Sequence, residues 1–375
     1  MPTLSDKEKL DWLQLIRTHS IGPITFDQLL ARYGSAGDAI KSLPDIARNA
    51  GRAKTLRPAS RHACEDEIIA ADQIGAKLIA RIEDGFPAPL RAIPDCPPLI
   101  YVRGHISLFE KPAIGIVGAR NASGVGCKIA RDLAHDLGAN GFAVVSGLAR
   151  GIDGAAHQAS LETGTIAVVA GGVDHVYPPE HDELMDRIAQ AGIIVSEQPI
   201  GAKPYARDFP KRNRLISGLS RGIVVVEAAK KSGTLITARF ALEQGREVFA
   251  VPGSPLDPRC HGANRLISDG ATLTQSADDI IDQLKDCIDG VREDEDLWQD
   301  RTGPASAEPA ESPADRKALR EAVLMHLNFT PLHRDEIIRQ LGQPIPQIAD
   351  ALLELVLAGE AFEHPGGCFS LSEPG

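Results

Sequence analysis

AIGIVGARNASGVG, residues 113–126, is where the fold is decided. A short apolar run ends in glycine, a Gly-rich turn offers Ser123 as a helix cap, and VGCKIARDLAHDLGANG follows with helical spacing. The same unit returns along the chain from Pro112 to about Leu284. FAVVSG, TIAVVAGG, GIIVSE, GIVVVEA and EVFAVPG each stand about 15 to 25 residues from the next, with amphipathic segments between several of them. Apolar strands, almost all followed by glycine and joined by helices, predict an α/β fold with a doubly wound parallel sheet. Its ligand is expected at the carboxyl ends of the strands, where the Gly-rich turns lie.

Outward from this block the texture changes. Apolar residues at helical spacing, Leu10, Leu13, Leu15 and Ile16 and then Phe26, Leu29 and Leu30, predict a small helical domain over residues 1–80. IGPI between these helices is a weak phosphate grip, because Pro23 lacks an N–H, and reads as helix packing. Glu83–Gly104 is a Pro-rich connector ending in LIYVRG, expected as an edge strand, and the sheet domain is placed at 81–288. Residues 289–314 are acidic and then Pro/Ala/Ser-rich, the composition of a linker. Three short amphipathic segments and two strand-like pieces around Pro365-Gly366-Gly367 predict a winged helix over 315–375. Its recognition segment, PIPQIADALLELVLAGE, has no Lys or Arg, which argues against reading of a DNA groove and for packing or protein contact.

At 375 residues, 43% apolar and 24% charged, the composition is that of a globular protein of two or three domains. No apolar run is long enough to span a membrane and the first residues lack a signal-peptide layout, so a cytoplasmic protein without membrane attachment is expected. The six cysteines are scattered, without a Cys-x-x-Cys pair, and read as free thiols; no metal site is expected, Cys260 beside His261 included.

The strand-end turns carry the chemistry. Gly115, Gly118, Gly124 and Gly126 miss the dinucleotide spacing, and the next strand ends in SGLARGID without the required acid, so no cofactor is expected. In that second turn Arg150 is either a phosphate contact or an ion-pair partner of Asp153, and Asp153 reads as an N-cap. Ser232-Gly233-Thr234 opens a helix and forms an anion seat. No nucleophile elbow, Walker loop or carboxylate pair is present, so no catalytic residue is expected. The alternative is a nucleotide-binding or nucleoside-monophosphate-processing Rossmann enzyme, weakened because no Glu follows SGTLITA before Glu243.

The net charge is −11, yet Lys203, Arg207, Lys211, Arg212, Arg214 and Arg221 are opposed only by Asp208, a local charge of +5. Such a cluster lies in solvent or meets an anion. Several anion seats beside a basic run suit a chain of phosphates, and a narrow strand-end cleft suits a single strand. Phe209 either stacks on a base or packs in the core, while Lys211, Arg212 and Arg214 hold the backbone with little base preference.

VGARNAS, SGLARGIDGAAH, GGVDHVYPPEH, FPKRNRLISGLS, VVEAAKKSGTLITARFALEQGREVFAVPG and GANRLISDGA, in this order, resemble the DNA-processing protein A (DprA/Smf) family of bacteria. The resemblance is strong over about residues 83–280 and looser in the flanking domains. It implies an extended Rossmann domain between a sterile-alpha-motif-like helical domain and a winged helix. It further implies a dimer that binds single-stranded DNA in natural transformation, shields it from nucleases and loads the recombinase RecA onto strands covered by single-strand-binding protein. Carried over by motif, the DNA site is Arg120, Ser146, Gly147, Phe209, Lys211, Arg212 and Asn213, with Arg214, Gly233 and Asn264 as neighbours; Arg150 joins them from the residue reading above.

Overall fold

The structure is a computed structural model that describes residues 3–49, 57–291, 313–364 and 367–372. These fall into two compact units, one built from residues 66–291 and one that joins residues 4–65 to residues 313–372.

In the second unit, helices α1 (Asp6–Ile16), α2 (Pro23–Tyr33) and α3 (Ala36–Asn49) bury Leu13, Leu15, Phe26, Leu29 and Leu43 completely. Ser5 and Glu8 form a reciprocal capping box at the start of α1. IGPI acts as a helix start, with Gly22 as N-cap, Pro23 in the first position and Ile21 buried. Helix α4 (Arg61–Gln73) begins in this unit and runs into the other, in which the short helix α5 (Ala88–Arg91) also lies.

The first unit is a nine-stranded sheet: β1 (Ala76–Ala80), β2 (Leu99–Gly104), β3 (Ala113–Val117), β4 (Ala143–Ser146), β5 (Thr165–Val168), β6 (Ile193–Ser196), β7 (Gly222–Val225), β8 (Glu247–Ala250) and β9 (Thr272–Leu273). The spatial order is β1-β2-β6-β5-β4-β3-β7-β8-β9. Strands β3 to β9 are parallel to their neighbours among themselves, while β2 is antiparallel to β1 and β6. LIYVRG is therefore not the edge. Strand β1 covers it, and the sheet begins before the expected boundary at residue 81.

Side-chain alternation sorts the central strands into two cores. Ile114, Ile116, Val144 and Val224 pack under helices α6 (Gly124–Ala139) and α7 (Ile152–Ser160). Val117, Val145, Val168 and Val225 pack on the opposite face, against Leu215, Ile216, Leu219, Ala238 and Ala241. Each such side chain contributes about 1.5–3 kcal/mol when fully buried. Helix α8 (Asp182–Ala191) covers the β5–β6 side, α9 (Asp208–Leu219) and α10 (Thr234–Glu243) supply the second core, and α11 (His261–Ser268) and α12 (Ala277–Val291) complete the unit. Helix α12 runs into the expected linker as far as Val291; residues 292–312 lie outside the described residues.

The winged helix is formed by α13 (Pro313–His326), β10 (Leu332–His333), α14 (Arg334–Leu341), α15 (Ile345–Ala358), β11 (Ala361–His364) and β12 (Cys368–Leu371), with strand order β10-β12-β11. Val323, Ile337, Ile348, Leu352, Leu355 and Phe369 fill its core. Within the same unit Arg32 of α2 reaches Asp350 of α15 at 3.3 Å.

Candidate nucleic-acid interface

Strand β3 has β4 on one side and β7 on the other, so the chains leaving β3 and β7 diverge toward opposite faces of the sheet. Their divergence opens a crevice at the carboxyl ends of the strands. A cavity of about 610 Å³ lies there. The β3–α6 turn gives it Gly118, Arg120 and Asn121, the segment after β4 gives Ala149 and Asp153, and α9 gives Phe209, Arg212 and Asn213. Lys231, Ser232, Gly233 and Thr234 come from the turn after β7, and Arg259 from the loop before α11.

Ser123 caps α6 as expected, accepting a hydrogen bond from Gly126 N–H at 2.8 Å. Its own N–H and hydroxyl both donate to the buried Glu227, at 2.9 and 2.5 Å, which fixes the turn that carries Arg120. Arg120 is exposed, and its guanidinium lies 4.9 Å from the Phe209 ring centroid. The Phe209 ring also meets Tyr177, at 5.3 Å and a 53° tilt.

Behind this rim is a buried polar cluster. Ser146 is completely buried and donates to Ile116 O at 2.6 Å. Asp153 turns its carboxylate back under the loop after β4, accepting from Gly147 N–H at 3.2 Å and Ala149 N–H at 3.3 Å. It is therefore a loop clamp, and Gly151 holds the N-cap position of α7. Burial pushes the Asp153 carboxyl up, against the pull of the Arg212 charge. Arg212 is only 6% exposed. It donates to Gly147 O at 2.7 Å and to Val168 O, and its buried Nε has no hydrogen-bond partner among the described residues. Burial pulls its guanidinium down to about 10. A Cβ on Gly147 would stand 2.3 Å from Arg212 Nη1, so only glycine leaves room for this contact.

The basic run is thus divided by the helix that carries it. Consecutive residues of α9 point about 100° apart, so four in a row cannot face one ligand. Lys211 is exposed to solvent, Arg212 points into the loop cluster, and Asn213 reaches across the cavity to Gly233 O at 3.4 Å. Arg214 is buried on another side, bonded to Asp95 O at 2.7 Å, to the Asp95 carboxylate at 3.3 Å and to Glu197. The structure does not bring Arg214 to the cavity.

Arg150 is exposed and pairs with Glu180, not with Asp153, and does not line the cavity. Gly233 does line it. The hydroxyls beside Gly233 are engaged internally: Ser232 accepts from Thr234 N–H at 3.2 Å, and Thr234 donates to Gly118 O at 3.1 Å. Asn264 bonds both backbone groups of Gly253, at 3.0 and 2.8 Å, and lines a neighbouring groove of about 490 Å³ with Lys230 and Arg265. Lys231, Arg259 and Tyr177 were not singled out from the sequence. Lys231 adjoins the recognised Ser-Gly-Thr turn, whereas Arg259 is brought in from a distant loop by the sheet order alone.

Among the described residues no group of three or more His, Cys, Asp or Glu side chains is placed to hold a metal ion, and no helix is long and apolar enough to cross a membrane. The cysteines whose side chains are described, Cys64, Cys96, Cys127, Cys260 and Cys368, form no disulfide with one another.

Comparison with known proteins agrees with this architecture. Residues 77–285 match the model for DNA recombination-mediator protein A, residues 6–70 the DprA-like N-terminal HHH domain, and residues 307–367 the DprA winged helix domain. The chain is 31% identical to Protein Smf of Synechocystis sp. over 398 residues, 97% of this chain and 98% of that one. The X-ray structure of DNA processing protein A from Streptococcus pneumoniae aligns with a TM-score of 0.60 and 33% identity, over 75% of this chain and 98% of that one. A structure that addresses the single-stranded DNA binding mode of DNA processing protein A from Helicobacter pylori aligns with a TM-score of 0.52 and 28% identity, over 56% and 96%. The ordered turns around the switch-point cavity and the three matched domains together place this chain in the DNA recombination-mediator protein A family, the DprA/Smf proteins.

Proposed function

We propose that this chain binds single-stranded DNA across the mouth of the switch-point cavity, shields it from nucleases and hands it to RecA on strands covered by single-strand-binding protein. It acts as a homodimer in the cytoplasm, by binding and without catalysis, in transformation and homologous recombination. Membership of its family gives it a role in DNA processing. The finer reading is carried by one observation: an exposed Arg120 stacked on Phe209 at the rim of a cavity that also has Lys231 and Arg259 in its wall. Separated cations suit a chain of phosphates, and an aromatic ring beside them suits an unpaired base, which a duplex does not offer. The Helicobacter pylori relative's single-stranded DNA binding mode supports the same choice.

Asp153, the carboxylate in the cavity wall, commits its Oδ2 to the loop N–H groups, a structural role that argues against a nucleotide-processing reaction there. Arg120, Phe209, Lys211, Asn213, Lys231 and Arg259 are proposed to meet the strand. Ser146, Gly147 and Arg212 shape the loop behind them, and Arg150, Arg214, Gly233 and Asn264 serve the surroundings. Helix α15 has no Lys or Arg, so the winged helix is proposed to contact protein or to pack.

The test is nuclease digestion of a labelled single strand with the wild type and with Arg120→Ala, alongside incubation with AMP. Protection lost in the variant, with AMP intact, is the expected result. Unprotected DNA, or release of adenine or phosphate from AMP, would overturn the reading.

A further inference from the structure

We infer that Tyr177 and Tyr205 are base-stacking residues that extend the single-strand path on either side of the start of α9, an inference that rests on the single-strand reading of this face. Among the described residues of the sheet unit, these two are the exposed large aromatic side chains, at 44% and 64%. Both belong to the entry into α9. Tyr205 N–H donates to Asp208 Oδ2 at 2.9 Å, and Asp208 is the first residue of that helix. The Tyr177 ring lies against Phe209, the second residue.

Phe209 itself has neighbours at its ring: the Arg120 guanidinium at 4.9 Å and Tyr177 at 5.3 Å. The exposed Tyr177 ring therefore extends the aromatic surface that Phe209 begins. Tyr205 is built in a similar way, with the Arg207 guanidinium 5.4 Å from its ring. Each exposed ring therefore has a cation near it, directly for Tyr205 and through Phe209 for Tyr177. That pairing offers a flat surface for a base and a positive charge for the adjoining phosphate. Neither ring is covered, and the Tyr177 hydroxyl has no hydrogen bond among the described residues.

The experiment compares binding of the full chain to an oligothymidylate and to an abasic strand of the same length by fluorescence anisotropy, with Tyr177→Ala, Tyr205→Ala and Tyr177→Phe. Each alanine variant is expected to weaken thymidylate binding roughly 5- to 150-fold and to leave abasic binding unchanged, while Tyr177→Phe stays near wild type. Photo-crosslinking with 5-iodouracil is expected to label Tyr177 or Tyr205. Equal weakening toward both strands would make the tyrosines structural and overturn the inference, as would unchanged thymidylate binding without crosslinks to either residue. A wild type that binds neither strand would remove the single-strand reading, and this inference with it.

Discussion

Arg212→Ala separates a charge that touches DNA from one that builds the site. In the folded protein the guanidinium satisfies Gly147 O and Val168 O and sits in the field of Asp153, with 6% of the residue exposed. Its removal leaves two carbonyls short of a donor and a buried carboxylate without its opposing charge. Hydrogen bonds to a charged group contribute about 1.5–3 kcal/mol each, and removing one partner of a buried ionic cluster costs about 3–5 kcal/mol in all. For a unit of this size that is a fall in Tm of about 6–20 °C. The assay is thermal unfolding by circular dichroism, followed by single-strand binding at several salt concentrations well below the variant's Tm. The salt slope is expected to match wild type, because a guanidinium engaged with backbone releases no counterion when DNA binds. Adding Asp153→Asn is expected to recover part of the lost stability, since the two groups are coupled. An Arg212→Ala protein as stable as wild type, with a slope smaller by about 0.7, would show that the guanidinium holds a phosphate and that its loop bonds are dispensable.

Lys211→Ala is expected to do the opposite, leaving Tm within about 1 °C and reducing the salt slope by about 0.7, as read in the same titration. Arg214→Ala removes the buried charge that Asp95 and Glu197 share and is expected to lose about 3–5 kcal/mol in denaturant unfolding with no change in the salt slope of the folded fraction. His157 is completely buried, its ring bonded to Leu148 N–H at 3.3 Å and Thr165 Oγ1 at 2.7 Å, and burial pulls it down to about 3. The unfolded chain therefore takes up this proton first. Stability is expected to fall as pH drops below about 6.5 and to go on falling to about 3, at up to ~1.4 kcal/mol per pH unit, with a shallower dependence in His157→Gln. A wild-type stability independent of pH between 6.5 and 4.5 would contradict that reasoning.

The central strands were legible because parallel strands are apolar on both faces and several of them run into Gly-rich turns. AIGIV, AVVS, TIAV and GIVV are buried along their whole lengths as β3, β4, β5 and β7. Strand β1 was not, since its five residues include the exposed Lys77 and its antiparallel pairing has no crossover helix to announce it. Strand β10 was not legible either, since the two residues Leu332–His333 are too few to show a period. At the site, the turns were legible as anion seats and Phe209 as their aromatic neighbour. What counting charges could not give was direction. The phase of α9 sends Lys211, Arg212 and Arg214 to different surroundings, and those surroundings, Gly147, Val168, Asp95 and Glu197, come from distant segments of the chain.

The most direct measurement is the affinity of the wild type for a labelled single strand and for its duplex across a range of salt concentrations. A clear preference for the single strand, with log affinity falling steeply and linearly against log salt, is the result expected of separated cations meeting several phosphates on an unpaired chain. Equal affinity for the duplex, or single-strand binding indifferent to salt, would contradict it.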